Sequence, residues 1–345
     1  MIRALMDYGA LAAKARAMYG KRLRREDFSR MAAMGSAAEL SEYLRSHPAW
    51  SACAAHLTGG VYIGRIELES ALWTQFRSDY HKLLAFLPRR DEALMAFPVL
   101  LQEQRAILSA LRGLKADRPP AGLPRTILRS RLDLRALAAC TSFDGLIAAA
   151  GETIYAPALR RLRTARAEEF PDYAAAETLL RSAYFSHIYR VIHQNYRGET
   201  RSLLLRSFGE QIDWLNLMHI LRLKTYFPGE QDYPAVLFPF NYRLRPEFIR
   251  SLCAAPDAAG VLALLQDTPY AGKLSLDGPE ALEDSYRRAF YTFNRRQLTA
   301  ATPSVYTAVA FLNLKELELH ALVSLIESVK YGVPCDTALA QLSGS

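Results

Sequence analysis

Apolar positions along this chain recur with the period of a helix. Leu180, Ala183, Tyr184, His187, Ile188 and Val191 stand at i, i+3, i+4, i+7, i+8 and i+11. That spacing puts them on one stripe of an α-helix, and Gly198 is its predicted stop. From Glu199 to Tyr226 there is no proline and only one glycine, Gly209, so a longer helix is predicted there. The last helix carries the fullest set of signals. Thr302 is its predicted N-cap and Pro303 its first helical residue, and Leu322, Leu325, Ile326 and Val329 form a late apolar face. Lys330 complements the negative end of the helix dipole, and Gly332 and Pro334 stop the helix. At about 1.5 Å per residue it is roughly 40 Å long, a length typical of bundles and extended scaffolds. Strand signals are weak: Val236-Leu237-Phe238-Pro239-Phe240 reads as extended, but its proline relegates it to a loop or an edge. The expected fold class is all-α.

Two patterns repeat on this helical background. Arg25-Glu26-Asp27-Phe28, Arg131-Leu132-Asp133-Leu134 and Arg245-Pro246-Glu247-Phe248 each read arginine, any residue, carboxylate, apolar. An aromatic follows each copy at a similar interval: Trp50, Tyr155 and Tyr270. Upstream, Asp7, Glu103 and Asp213 each have a small or amide residue at +3 (Ala10, Ala106, Asn216), an apolar residue at +4 (Leu11, Ile107, Leu217) and an arginine at +9 (Arg16, Arg112, Arg222). Glu318, Ala321 and Leu322 begin a fourth copy, in which Glu327 replaces the arginine. A unit of roughly 110 residues used three times predicts a pseudo-symmetric helical body. Breaks at Asp117-Arg118-Pro119-Pro120 and Phe227-Pro228-Gly229 divide the chain into helical repeats 1–116, 117–226 and 227–345.

Asp27, Asp133 and Glu247 each precede an apolar-periodic segment. There a carboxylate favours the positive end of a helix, so a structural role is expected for them. Tyr155 and Tyr270 are expected to be packing anchors at inter-helix turns, while His47-Pro48-Ala49-Trp50 shifts the aromatic of the first copy by one place. Arg16, Arg112 and Arg222 are expected to make an ion pair or carbonyl contact with a neighbouring bundle.

Composition adds the charge. Half of the 345 residues are hydrophobic and the formal net charge is +8. The stretch from Arg105 to Arg166 holds 12 basic and 4 acidic residues and so carries the whole excess. Such a surface suits nucleic acid, anionic lipid or an acidic protein partner, or it is simply solvated. The candidate docking residues are Arg125, Arg129, Arg160, Arg161 and Arg163. Cys53, Cys140, Cys253 and Cys335 are widely spaced, which predicts reduced thiols and no structural zinc. Met1-Ile2-Arg3-Ala4 leads straight into a mixed amphipathic segment, so no signal peptide is expected. No apolar stretch approaches the roughly 18 residues that span a bilayer.

A catalytic reading finds little to stand on. The chain has no Gly-x-x-x-x-Gly-Lys-Ser/Thr loop and no Gly-x-Gly-x-x-Gly opening a helix, so nothing predicts a cradle for nucleotide phosphates. Histidines occur in neither His-Glu-x-x-His nor Glu-x-x-His, and no serine sits in Gly-x-Ser-x-Gly. His187 and His193 are six apart, the wrong spacing for one helical face, and His219 and His320 are expected to pack or to meet solvent.

Three further stretches carry a resemblance: Tyr8 with Arg16-Ala17-Met18, Leu265-x-x-Thr268-Pro269-Tyr270, and Tyr306…Leu312-x-x-Lys315-Glu316-x-Glu318…Lys330-Tyr331-Gly332. In this order they resemble the C subunit of bacterial and archaeal V-type (A/V-type) ATP synthases, the counterpart of the eukaryotic d or AC39 subunit. The last helix departs from the pattern, with Ala321-Leu322 where the family often has Asn-Leu. The resemblance implies a funnel of three helical bundles about a pseudo-threefold axis, on the cytoplasmic face of the membrane rotor ring. It implies central shaft subunits of D and F type and the ring as partners, with no cofactor, metal, catalytic site or direct nucleotide binding. The alternative is a basic helical scaffold for nucleic acid or another acidic partner. Few aromatics interleave the basic region, only Phe143 and Tyr155, so stacking on bases has little support.

Overall fold

The computed structural model describes residues 2–54, 65–120, 123–124, 127, 129–163, 170–227, 229, 232–272 and 274–331. Every regular element among them is helical. The chain opens with α1 (Ile2–Gly20), α2 (Arg25–Ala32), α3 (Ala37–Ser46), α4 (Ser51–Ala54) and α5 (Arg65–Leu84), followed by a single 3-10 turn at Arg89–Asp91. Next come α6 (Glu92–Met95), α7 (Phe97–Lys115), α8 (Leu134–Ala139), α9 (Phe143–Ala149) and α10 (Ala156–Arg161). The middle continues with α11 (Tyr173–Asn195), α12 (Gly198–Tyr226), α13 (Tyr233–Val236), α14 (Pro246–Ala254) and α15 (Ala258–Leu265). The chain then forms α16 (Pro279–Thr299) and α17 (Val305–Tyr331).

These elements form two compact units. One joins Met1–Asp91 to Tyr270–Ser345, and the other is Glu92–Pro269. In the first, α17 is the spine: it packs on α16, α1 and α5 and also touches α2 and α3. Its opening half is buried on every side, from Val305 through Lys315, as expected of a helix that neighbours surround. Asn294 ties α16 to it, its Oδ1 accepting from Tyr306 OH at 3.0 Å and from Asn313 Nδ2 at 3.1 Å. In the second unit α11 is the spine, packed against α7, α10, α12 and α13. Leu180, Tyr184, Ile188 and Val191 of the predicted stripe are buried there, while Ala183 and His187 lie at its margin.

Element boundaries follow local chemistry. The break predicted at Asp117 falls just beyond α7, and the one at Phe227 is the C-cap of α12. Helix α11 stops at Asn195, short of Gly198; with φ +58°, Gly198 instead opens α12 in the left-handed region that glycine tolerates. The last helix begins later than Thr302 and Pro303 suggest. Ser304 takes the capping role: its Oγ accepts from Tyr306 N at 3.2 Å, and its own N donates to Thr307 Oγ1 at 3.2 Å. This reciprocal pair satisfies amides that the first turn leaves orphaned. The helix is unbroken to Tyr331; Gly332 and Pro334, its predicted stop, and Cys335 lie outside the described residues. The segment Val236–Phe240 forms no strand: α13 ends at Val236 and the rest is irregular.

Candidate functional site: carboxylate latches and basic positions

Three long helices each carry a buried carboxylate that reaches the turn in front of a short helix. On α7, Glu103 Oε1 accepts from Ser130 Oγ at 2.6 Å and from Arg131 N at 3.3 Å, ahead of α8. On α12, Asp213 accepts from three successive amides ahead of α14: Tyr242 at 2.8 Å, Arg243 at 2.7 Å and Leu244 at 3.2 Å. On α17, Glu318 Oε1 accepts from Leu23 N at 2.6 Å, ahead of α2. The three short helices are those that carry the arginine-x-carboxylate-apolar pattern. Each latch therefore fixes how a short helix leaves its loop, with charge-assisted bonds of above-average strength.

The register of the upstream repeat thus differs from a plain linear reading. Asp7 does not share the task of Glu103 and Asp213. It pairs with Arg90 Nη2 at 2.5 Å near the surface, beside a Tyr8 OH that donates to Asp91 at 2.8 Å. Glu318, in the incomplete fourth copy, performs the latch for the first short helix. The small or amide residue at +3 and the apolar residue at +4 are buried in all three: Ala106 and Ile107, Asn216 and Leu217, Ala321 and Leu322. Asn216 adds to its latch by accepting from Phe238 N at 2.8 Å and donating to Phe238 O and Phe240 O, both at 3.2 Å.

The aromatics belong to the same construction. Trp50, Tyr155 and Tyr270 are all buried. Tyr155 OH donates to Leu100 O at 2.7 Å, three residues before Glu103. In the α17 copy the residue three before the carboxylate is Lys315, whose Nζ lies 3.6 Å from the centroid of the Trp50 ring. That ammonium is only 5% exposed as a residue. It donates to Ala49 O and Glu318 Oε2, each at 3.2 Å, and lies 3.8 Å from Asp79 Oδ2. A buried lysine survives as a cation only with such a set of partners. Ala49, Asp79 and Lys315 share no local pattern, so the sequence does not show this cluster; its traces there are the fourth copy beginning at Glu318 and the Lys315-Glu316-x-Glu318 stretch.

Burial and bonding move these carboxyls in opposite directions. Burial lifts Glu103 above the ordinary glutamate value despite its bonds to Ser130 and Arg131. Asp27 is also raised by partial burial, but the hydrogen bonds from Tyr43 and the Arg24 amide outweigh this and leave it below its ordinary value.

A latch repeated on three helices is a scaffold feature, and similarity to known proteins points the same way. The ATP synthase (C/AC39) subunit family matches residues 11–341. The chain belongs to that family. It is 24% identical over 351 residues to the A-type ATP synthase C subunit of Methanothermobacter thermautotrophicus, a match covering 95% of this chain and 86% of the relative. It is 23% identical over 351 residues to the A-type ATP synthase C subunit of Methanosphaera stadtmanae, covering 94% of this chain and 86% of that relative.

The pattern carboxylates of this family member sit in the first turns of their helices at three different positions. Asp133 is the N-cap of α8, accepting from Arg135 N and Ala136 N at 3.0 Å. Asp27 is the third residue of α2, its Oδ2 accepting from Arg24 N at 2.7 Å and its Oδ1 from Tyr43 OH at 2.6 Å. Glu247 follows Pro246 at the start of α14 and makes an exposed pair with Arg250.

The +9 arginines also differ. Arg16 clamps the end of α16, its Nε donating to Leu298 O at 2.8 Å and its Nη2 to Ala301 O at 2.9 Å. Arg112 bonds Tyr173 OH and lies 4.4 Å from the centroid of that ring. Arg222 is exposed on α12. Among the docking candidates, Arg129 pairs with Glu92 at 3.5 Å and Arg163 with Asp144 at 2.6 Å. Arg160 and Arg161 are exposed at the end of α10 with no ion-pair partner among the described residues. Arg125 lies outside the described residues.

Proposed function

We propose that this protein is the non-catalytic central-stalk member of a rotary ATPase of V type. It is a socket that couples the rotating shaft, of D and F type subunits, to the membrane rotor ring during ion transport. In this reading it sits peripherally on the cytoplasmic face, holds no cofactor and binds no nucleotide. The repeats 1–116, 117–226 and 227–345 form three wedges about a pseudo-threefold axis. The observation that carries the reading is the recurrence of one latch on α7, α12 and α17, each joining the last helix of one repeat to the opening of another. Membership of the ATP synthase (C/AC39) subunit family supports the assembly it would join. Among the described residues no helix is long and apolar enough to cross a membrane.

The ring contact is assigned to the arginine-rich middle region, with the exposed Arg160 and Arg161 at its centre. The test is reassembly of the purified protein with membranes stripped of it, at low and high salt. The substitutions Arg160→Glu, Arg161→Glu and Arg163→Glu, made together, should reduce binding while helicity is kept. Wild-type binding should weaken as salt rises, because exposed charges are screened beyond about 8 Å at physiological ionic strength. A triple variant that assembles normally at both salt concentrations would make the patch a solvated surface only.

A further inference from the structure

One cavity, of about 200 Å³, lies inside the unit built from both ends of the chain. Its walls include the aromatic side chains of Tyr19, Tyr291 and Phe311, and five cations line it. Two of these are already balanced. Lys82 Nζ lies 3.0 Å from Asp79 Oδ1, and Lys315 is shared between Glu318 and Asp79. The other three, Lys14, Lys21 and Arg22, have no acidic partner among the described residues.

Arg22 carries the more specific signal. Its guanidinium stacks 4.3 Å above the Tyr19 ring, and one terminal nitrogen reaches Tyr19 O at 3.5 Å. Its Nε is shielded from solvent with no acceptor, and a buried donor left unmade costs free energy. A second donor is available as well. The hydroxyls of Tyr19 and Tyr291 bond each other at 3.0 Å. One of them must act as acceptor in that bond, which leaves its own hydrogen free.

We infer that this cavity is a binding site for a small multivalent oxyanion of the phosphate class. Three unbalanced cations around a half-enclosed, partly aromatic hollow focus a positive potential. An anion with two or more charges relieves their mutual repulsion and gives the spare tyrosine hydroxyl an acceptor. The volume decides the size of the guest. Drug-sized ligands occupy roughly 300–1,000 Å³, so the space suits a diphosphate or a small phosphate ester. The site stands apart from Arg160 and Arg161 in sequence and does not depend on the socket reading.

The test uses the full chain at low salt. Calorimetry with pyrophosphate measures a soluble guest, and co-sedimentation with phosphatidic-acid vesicles measures a lipid phosphate head. Lys14→Gln, Lys21→Gln and Arg22→Gln should each weaken binding about tenfold, the size of one lost charge-assisted hydrogen bond. Arg135→Gln, an exposed change on α8, should leave binding unaltered. Lys21 is itself exposed, so its variant reports on binding without threatening the fold. Pyrophosphate binding that the three pocket variants weaken assigns a soluble ligand, and vesicle binding weakened by the same variants assigns a lipid head group. Absence of both, or equal weakening by Arg135→Gln, overturns the site.

Discussion

Glu318 Oε1 lies 2.6 Å from the amide nitrogen of Leu23, a residue 295 positions away. The same carboxylate's Oε2 holds Lys315 Nζ at 3.2 Å. Glu318→Ala strips both groups of a buried partner and should cost roughly 3–5 kcal/mol, the range for breaking a buried pair. Glu318→Gln keeps an acceptor for Leu23 and should cost distinctly less. Urea unfolding of both variants checks this; equal losses would mean that the amide contact contributes nothing.

Glu103 makes a test by pH. Its folded-state value is raised by burial, so between the unfolded value and that raised value the native state holds a proton that the unfolded state has released. Stability from this group is full below the unfolded value and is lost as pH rises through the folded one. Glu103→Gln retains the acceptor for Ser130 and escapes that loss. It should match wild type near pH 4 and melt higher at pH 8. Parallel melting curves at both pH values would contradict the raised value.

Gly209 tests the tightness of the joint beside the Asp213 latch. A Cβ there would stand 2.5 Å from Tyr242 Cγ and 2.7 Å from Tyr242 Cβ. The amide of Tyr242 is held by Asp213, so the ring base has little room to retreat. Gly209→Ala should therefore destabilise by about 1–3 kcal/mol through overpacking, despite the gain of roughly 1 kcal/mol in helix propensity. Adding Tyr242→Ala should recover part of the loss, a non-additivity that a double-mutant cycle in urea will show.

The +9 arginines should separate by context. Arg16→Ala leaves the carbonyls of Leu298 and Ala301 without their donor and should cost about 1–2 kcal/mol. Arg222→Ala, at an exposed site, should stay within about 0.5 kcal/mol. Thermal melts rank the two; an equal effect would show that the clamp on α16 is not a stabilising contact.

The helices were legible in the sequence because periodicity and punctuation are local. The stripe from Leu180 to Val191 and the unbroken run to Tyr226 both became helices. The start at Val305 was not legible, since Thr302-Pro303 and Ser304 offer competing caps and only the bond to Thr307 decides between them. The repeat was visible as spacing, but its partners were not. Asp7 fits the linear pattern as well as Glu103 does, yet its neighbour is Arg90, and the matching role passes to Glu318 because α17 lies against α2. The cavity escaped notice for the same reason: Lys14, Arg22, Lys82 and Lys315 are separated along the chain and meet only when α1, α5 and α17 pack.

The unit assembled from Met1–Asp91 and Tyr270–Ser345 encloses another unit, Glu92–Pro269, within its sequence. On a ribosome, α1 to α5 emerge first but lack the helix that covers them. The intervening stretch takes about 9 to 36 seconds to synthesise at about 5–20 residues per second. During that interval Leu11, Phe28 and Leu72, buried in the finished unit, have no spine to pack against. Contacts of such long sequence separation form slowly, so the middle of the chain is free to fold while its beginning waits. The order of synthesis thus leaves the inward faces of α1 to α5 uncovered until α17 has been made.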